Sequence, residues 1–220
     1  MKKYKLTTET LQFAGRTLHR IKAVKDFDSI KAGEFGGWIE NEKNLSQDDN
    51  AWIYGNAMVF DNAEVYDNAK VYGNANVSGN ANVSGNAKVY GIANVFGNAN
   101  VSGNAEVYDN AKVYGNANVS GNAEVYDNAN VSDYAKVYGN AVIKGDAKVH
   151  DAVGYIVFKN FWSSGRYFTW TSSNNKWSVG CFYGTGEELI KKAYADSEKS
   201  GREYERVVRY VESILADERK

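Results

Sequence analysis

The sequence predicts a mainly β protein, a parallel β-helix solenoid followed by a small C-terminal β-β-β-α-α module. Two observations carry this. From Ile53 to Val149 every sixth residue is Val or Ile, without a single insertion, and a fixed short period is the signature of a solenoid. After Val149 the period stops, and aromatic strand-like runs lead into two segments with helical spacing. The domain reading is 1–50, an N-terminal cap with an irregular first coil; 51–151, the hexad solenoid; and 152–220, an α+β module.

At the N-terminus, Ile39 and Leu45 lie in phase, and Gln47-Asp48-Asp49-Asn50-Ala51 then inserts two extra residues before Ile53. This predicts a first, imperfect coil. The stretch before it, with LHRIKAV and Gly36-Gly37-Trp38-Ile39-Glu40, is expected to cover the open end and protect its strand edges.

Within the repeat, a unit such as Val71-Tyr72-Gly73-Asn74-Ala75-Asn76 reads as a short strand and a corner. Alternation turns Ala75 and Val77 inward and Asn76 and Ser78 outward. Gly, Asp and Asn tolerate positive φ, which suits the recurring Gly-Asn and Asp-Asn corners. One such strand cannot bury its apolar face alone, so the coils must stack, leaving a narrow interior for small side chains and room for amide ladders of corner Asn. Ile92 and Tyr134 stand where that Asn is usual. They mark either outward drift or an edge on which the C-terminal region or a neighbouring subunit packs.

Beyond Val149, Tyr155–Phe158, Arg166–Thr171 and Trp177–Phe182 read as three strands separated by Ser/Gly/Asn turns. Thr185 with Glu188 and Ser200 with Glu203 have capping-box spacing, which predicts helices beginning near 186 and 201. Glu187/Lys191 and Glu188/Lys192 are spaced as i,i+4 pairs. The stripe Tyr204, Val207, Val208, Val211, Ile214 and Leu215 is expected to cover the small sheet, and the module to cap the solenoid. Cys181 reads as a small buried core thiol.

An aliphatic position with a small residue two places before it resembles the hexapeptide repeat of left-handed β-helix proteins, whose triangular coils hold three hexads. The resemblance implies left-handedness and about six coils over 51–151. With three hexads to a coil, residues 18 apart share a face. One face then carries Tyr54, Tyr72, Tyr90, Tyr108 and Tyr126, beside Trp52, Lys70, Lys88, Glu106 and Glu124. A second, with Ser84, Ser102 and Ser120 between Tyr66 and Tyr138, is expected to be wet. The third is mixed, with Phe60, Ser78, Phe96, Tyr114, Ser132 and His150. The flanks add a narrower likeness. Gly36-Gly37-Trp38-Ile39-Glu40 with Asn44-Leu45-Ser46-Gln47, and Gly180-Cys181-Phe182-Tyr183-Gly184-Thr185, resemble a group of phage and prophage hexapeptide-repeat proteins, the GGWIE/NLSQ cap and GCFxGT module being the shared marks.

Composition narrows the function. The net charge of -1 divides as +1 over 1–50, -3 over 51–150 and +1 over 151–220, so no segment forms the basic stripe that a phosphate backbone requires, and nucleic acid is not expected. A lone Cys181 excludes an intramolecular disulfide and fits a reducing compartment. The absence of an apolar leader or span predicts a cytoplasmic protein without membrane contact, in the host cytoplasm for a phage product.

The acyltransferases of this fold resemble one another in a general-base His near a subunit interface and in loops extruded from the coils. Here only His19 and His150 are present, and no loop interrupts 53–149. Two His cannot supply the three zinc ligands of the carbonic-anhydrase branch. No catalytic residue, metal or cofactor is therefore expected. The expected function is a non-catalytic binding protein, a rigid homo-oligomeric scaffold that blocks a host protein or sequesters a small-molecule defence signal. Its interaction surface is the tyrosine face, because a contiguous exposed aromatic strip suits an interface. Stacking that serves the strands alone is the competing account of those tyrosines. A virion or surface spacer is the alternative function, and a hexapeptide acyltransferase ranks below it.

Overall fold

A computed structural model describes residues 2–217. The chain forms two compact units, Met1–Gly154 and Tyr155–Lys220.

The first unit opens with a hairpin, β1 (Tyr4–Phe13) and β2 (Arg16–Ala23), which pairs antiparallel with β3 (Phe35–Ile39). Seventeen two-residue strands follow, from β4 (Trp52–Ile53) to β20 (Lys148–Val149). They stack in parallel with a constant offset: Val71 on Val89, Val89 on Val107, Val107 on Val125. The fold is thus a parallel β-solenoid, and the 18-residue rung expected from three hexads per coil is the observed one. Ile39, Leu45 and Ile53 lie against Val59, Val65 and Val71, so the irregular first coil is present too. Every inward-facing Val and Ala of the repeat from Ala57 to Val149 is buried, none more than 1% exposed, while Val142, at an outward position, is half-buried.

The two extra residues before Ile53 accommodate Lys3. Its buried Nζ donates to the Asp49 and Ala51 carbonyls, both at 2.8 Å, with the Asp49 carboxylate 3.5 Å away. Beside it the Tyr4 hydroxyl donates to the Leu45 carbonyl at 2.7 Å, and Trp52 packs edge-on against Tyr4 and Phe27. Burial pulls the Lys3 amine down to about 8, with Asp49 opposing, and pushes the Tyr4 phenol up.

The corners explain the Gly/Asp alternation. The first corner residue takes positive φ whichever it is, +71° at Gly79 and +59° at Asp67. A Cβ on Gly79 would lie 2.9 Å from the Gly97 nitrogen of the next coil. At three of the Asp corners the carboxylate reaches the next coil and accepts a backbone N–H, Asp61 from Gly79 at 3.1 Å, Asp67 from Gly85 at 3.0 Å and Asp127 from Gly145 at 3.0 Å. Corner Asn side chains form the expected ladders. One runs unbroken through Asn50, Asn68, Asn86, Asn104, Asn122 and Asn140. A second runs from Asn62 to Asn116 and meets Tyr134; a third joins only Asn56 to Asn74 before meeting Ile92. Ile92 and Tyr134 are exposed.

The second unit departs from the sequence reading in four places. Its sheet has four antiparallel strands, β21 (Tyr155–Lys159), β22 (Tyr167–Thr171), β23 (Lys176–Val179) and β24 (Phe182–Gly184). The expected third strand is split because Gly180 takes φ +54° and turns the chain back, pairing Val179 with Phe182. Cys181 occupies that turn and is exposed, not buried, since a two-residue hairpin tip has no core to enter. After α1 (Gly186–Asp196), helix α2 (Glu198–Asp217) begins earlier than 201. The Ser197 hydroxyl accepts the Ser200 N–H at 3.1 Å, and Glu203 pairs with Arg206 in place of capping. The expected i,i+4 pairs are also absent: Glu187 binds Arg209, and Glu188 completes the Thr185 capping box. The apolar stripe does cover the sheet, with Tyr204, Val208 and Val211 packed with Phe168, Trp170 and Trp177 through Leu189 and Ile190.

No helix among the described residues is long and apolar enough to cross a membrane.

Candidate interaction surface

The five tyrosines share one face, as their spacing requires. Tyr72, Tyr90, Tyr108 and Tyr126 form a stack with ring centroids 4.6 to 4.8 Å apart and planes within 9° of parallel, close to the strand spacing. Tyr54 meets Tyr72 edge-on, 6.3 Å away. All five are half-buried, and from Tyr72 to Tyr126 the rings stack face to face.

The row beside them is chemically occupied. The Lys88 amine donates to Glu106 at 2.7 Å, the Tyr90 hydroxyl to the same carboxylate at 2.9 Å, and the Tyr108 hydroxyl to Glu124 at 3.1 Å. Lys70 pairs with Asp28 at 2.9 Å. Burial raises the Tyr90 and Tyr108 phenols well above their usual value, with Glu106 and Glu124 adding to the effect. Burial opposes ionisation of Glu106, but its bonds to Lys88 and Tyr90 outweigh this and hold it below the usual carboxylate range. Lys70, Lys88 and Glu106 are therefore paired within the chain, whereas Glu124 is met by the Tyr108 hydroxyl and no cation among the described residues.

The serine face is less wet than expected: Ser102 and Ser120 are half-buried and Ser84 is buried, because so short a side chain sits below the Asn rows flanking it.

His150 has company that went unweighed in the sequence. Its Nδ1 lies 2.6 Å from the Ser132 hydroxyl and 3.2 Å from the Asp133 carboxylate, while Ser132 Oγ donates to Asp133 at 3.0 Å. The signal was available, since Ser132 and His150 are one rung apart on the mixed face. Both contacts fall on the same ring nitrogen, so the imidazole does not bridge serine to carboxylate as a nucleophilic triad does, and Ser132 is fully buried. His19 lies in β2, with Nδ1 3.4 Å from the Thr7 carbonyl. Among the described residues no three His, Cys, Asp or Glu side chains converge as a metal ion would need.

These geometries can be set beside known proteins. A family model described as YdcK beta solenoid repeat matches residues 51–67. The chain is similar to that repeat. The relative found, named uncharacterized acetyltransferase YdcK, from Escherichia coli (strain K12), is 39% identical over 62 residues. That similarity covers 24% of this chain and 19% of the relative, so it concerns a small part of each. A solenoid repeat is common ground between the two, and fold likeness alone carries no activity.

Proposed function

We propose that this chain is a non-catalytic binding protein, a rigid β-solenoid that self-associates through its tyrosine face and presents the assembled surface to a partner. The observation that carries the reading is the register-locked stack from Tyr72 to Tyr126, whose aligned rings form a flat strip pre-ordered by the coil. Ordering such side chains costs little further entropy on association, which favours an interface. The resemblance of the cap and C-terminal motifs to phage and prophage proteins supports a host factor or a small-molecule defence signal as the partner. Replacing Tyr72, Tyr90 and Tyr108 together by Ser tests the self-contact: light scattering should report a lower mass with the circular dichroism retained. An unchanged mass refutes it. Infection assays in defence-positive hosts test the partner, and a deletion without effect in all of them removes that part of the reading.

One observation favours a second reading as an acetyl-CoA-dependent acyltransferase. With Nδ1 held by Ser132 and Asp133, His150 presents its other ring nitrogen as a base, and the E. coli relative carries an acetyltransferase name. Calorimetry with acetyl-CoA separates the readings: binding that is lost in His150→Ala favours the enzyme, and no heat favours the scaffold.

A further inference from the structure

The C-terminal unit holds a cavity of about 200 Å³ between the loop that follows β21, the β23–β24 hairpin and the two helices. Its floor is apolar, formed by Val179, Phe182 and Leu189. Its walls are not. Arg166, Lys192 and Asp196 line it, together with Ser164 and Ser200.

Arg166 stands apart from the other described arginines. Arg16, Arg20, Arg202, Arg206 and Arg209 each lie within ion-pair distance of a carboxylate. Among the described residues Arg166 is the arginine with none, and Lys192 has none either, although Asp196 follows it by one helical turn and lines the same cavity. Two cations against the single carboxylate of Asp196 leave this open, partly apolar space with a net positive charge, and the guanidinium fork matches a carboxylate or phosphate.

The loop that presents Arg166 is held rigidly. The Asn160 N–H donates to the Arg166 carbonyl at 2.7 Å, and the buried Asn160 side chain accepts the Ser163 N–H at 2.9 Å and donates to the Tyr204 hydroxyl at 3.1 Å. The cation is thus placed by backbone already ordered without a ligand. Size limits the occupant. At about 30 Å³ per water the space holds about seven, room for one anionic group on a short apolar body.

We propose that this cavity binds a small anion, a carboxylate or phosphate borne on a short aliphatic chain, with Arg166 as the bidentate donor and Lys192 as the second charge. The proposal does not depend on the tyrosine face. Isothermal titration of the whole chain with butyrate and with inorganic phosphate, against chloride at equal ionic strength, tests it. Saturable binding of either probe at one site is expected, and the preferred probe distinguishes carboxylate from phosphate. Arg166→Gln and Lys192→Gln should each weaken it about tenfold, the loss of one charge-assisted contact, whereas Asp196→Asn should strengthen it. The tyrosine triple variant should bind as the wild type. No saturable heat with either probe, or wild-type affinity in both the Arg166 and Lys192 variants, overturns the proposal. Should Arg166→Gln fail to fold, the opposite effects of the Lys192 and Asp196 variants decide it.

Discussion

Asn104 and Asn110 occupy the same corner position in successive hexads, and both are exposed, but only Asn104 belongs to an amide ladder. Its side chain accepts from Asn86 at 3.0 Å and donates to Asn122 at 2.9 Å. Asn110 sits beyond Ile92, where the corresponding ladder stops, and has no amide partner among the described residues. Comparing Asn104→Ala with Asn110→Ala therefore subtracts the intrinsic preference of the corner for Asn and leaves the ladder. A neutral hydrogen bond contributes about 0.5–1.5 kcal/mol net, and exposure places these two in the lower part of that range. The Asn104 variant should lose about 1–2 kcal/mol more than the Asn110 variant. Hydrogen exchange by mass spectrometry reads this locally: amides between 86 and 122 should exchange about 5- to 30-fold faster in Asn104→Ala. Equal exchange in the two variants would show that the aligned amides contribute nothing beyond their separate hydration.

Other consequences of the structure are as direct. Lys3 has a folded pKa of about 8 against an unfolded value of 10.5. Between these the unfolded chain holds a proton that the folded chain has released, so stability should rise with pH, by about 2 kcal/mol between about pH 7.5 and about pH 9.5. Lys3→Met should abolish that slope in urea titrations, and parallel slopes would contradict the burial assigned to the amine. Val89→Asp puts an unpaired charge into a fully buried column and should cost more than about 4 kcal/mol, preventing the coil from forming. A soluble variant with native circular dichroism would mean that the interior admits water.

The solenoid was legible because its constraint is local and repeated: a Val at every sixth place, an Ala two before it and a Gly or Asp at the corner each report the same geometry. Register and faces followed from counting, and so did the first coil, since Ile39 and Leu45 kept phase across an irregular segment. The purpose of its extra residues did not follow. Lys3 reaches Asp49 and Ala51 across 46 and 48 positions, and no pattern announces so distant a contact. The C-terminal unit was harder for a related reason. Trp177–Phe182 has strand composition throughout, and only the left-handed backbone at Gly180 divides it, taking Cys181 to the surface. Ser197 outcompeted Ser200 as the start of α2 because α1 ends immediately before it, a context that capping-box spacing ignores. On the candidate face, spacing aligned the tyrosines, but the internal pairing of Lys88 with Glu106 needed coordinates, since like and unlike neighbours are equally close on a ladder.

The fixed offset of eighteen residues between stacked rungs also governs how the length of this protein can change. In a gene made of tandem near-identical units, slippage during copying adds or removes whole hexads. Loss of a single hexad advances every later residue by one third of a coil: without residues 91–96, the side chains above Tyr90 would be Tyr114 and then Ser132, and the aromatic strip would end. Loss or gain of three hexads moves nothing off its face. The rod can therefore lengthen or shorten over generations only in steps of one complete coil, with its ladders and its strip extended or trimmed in proportion.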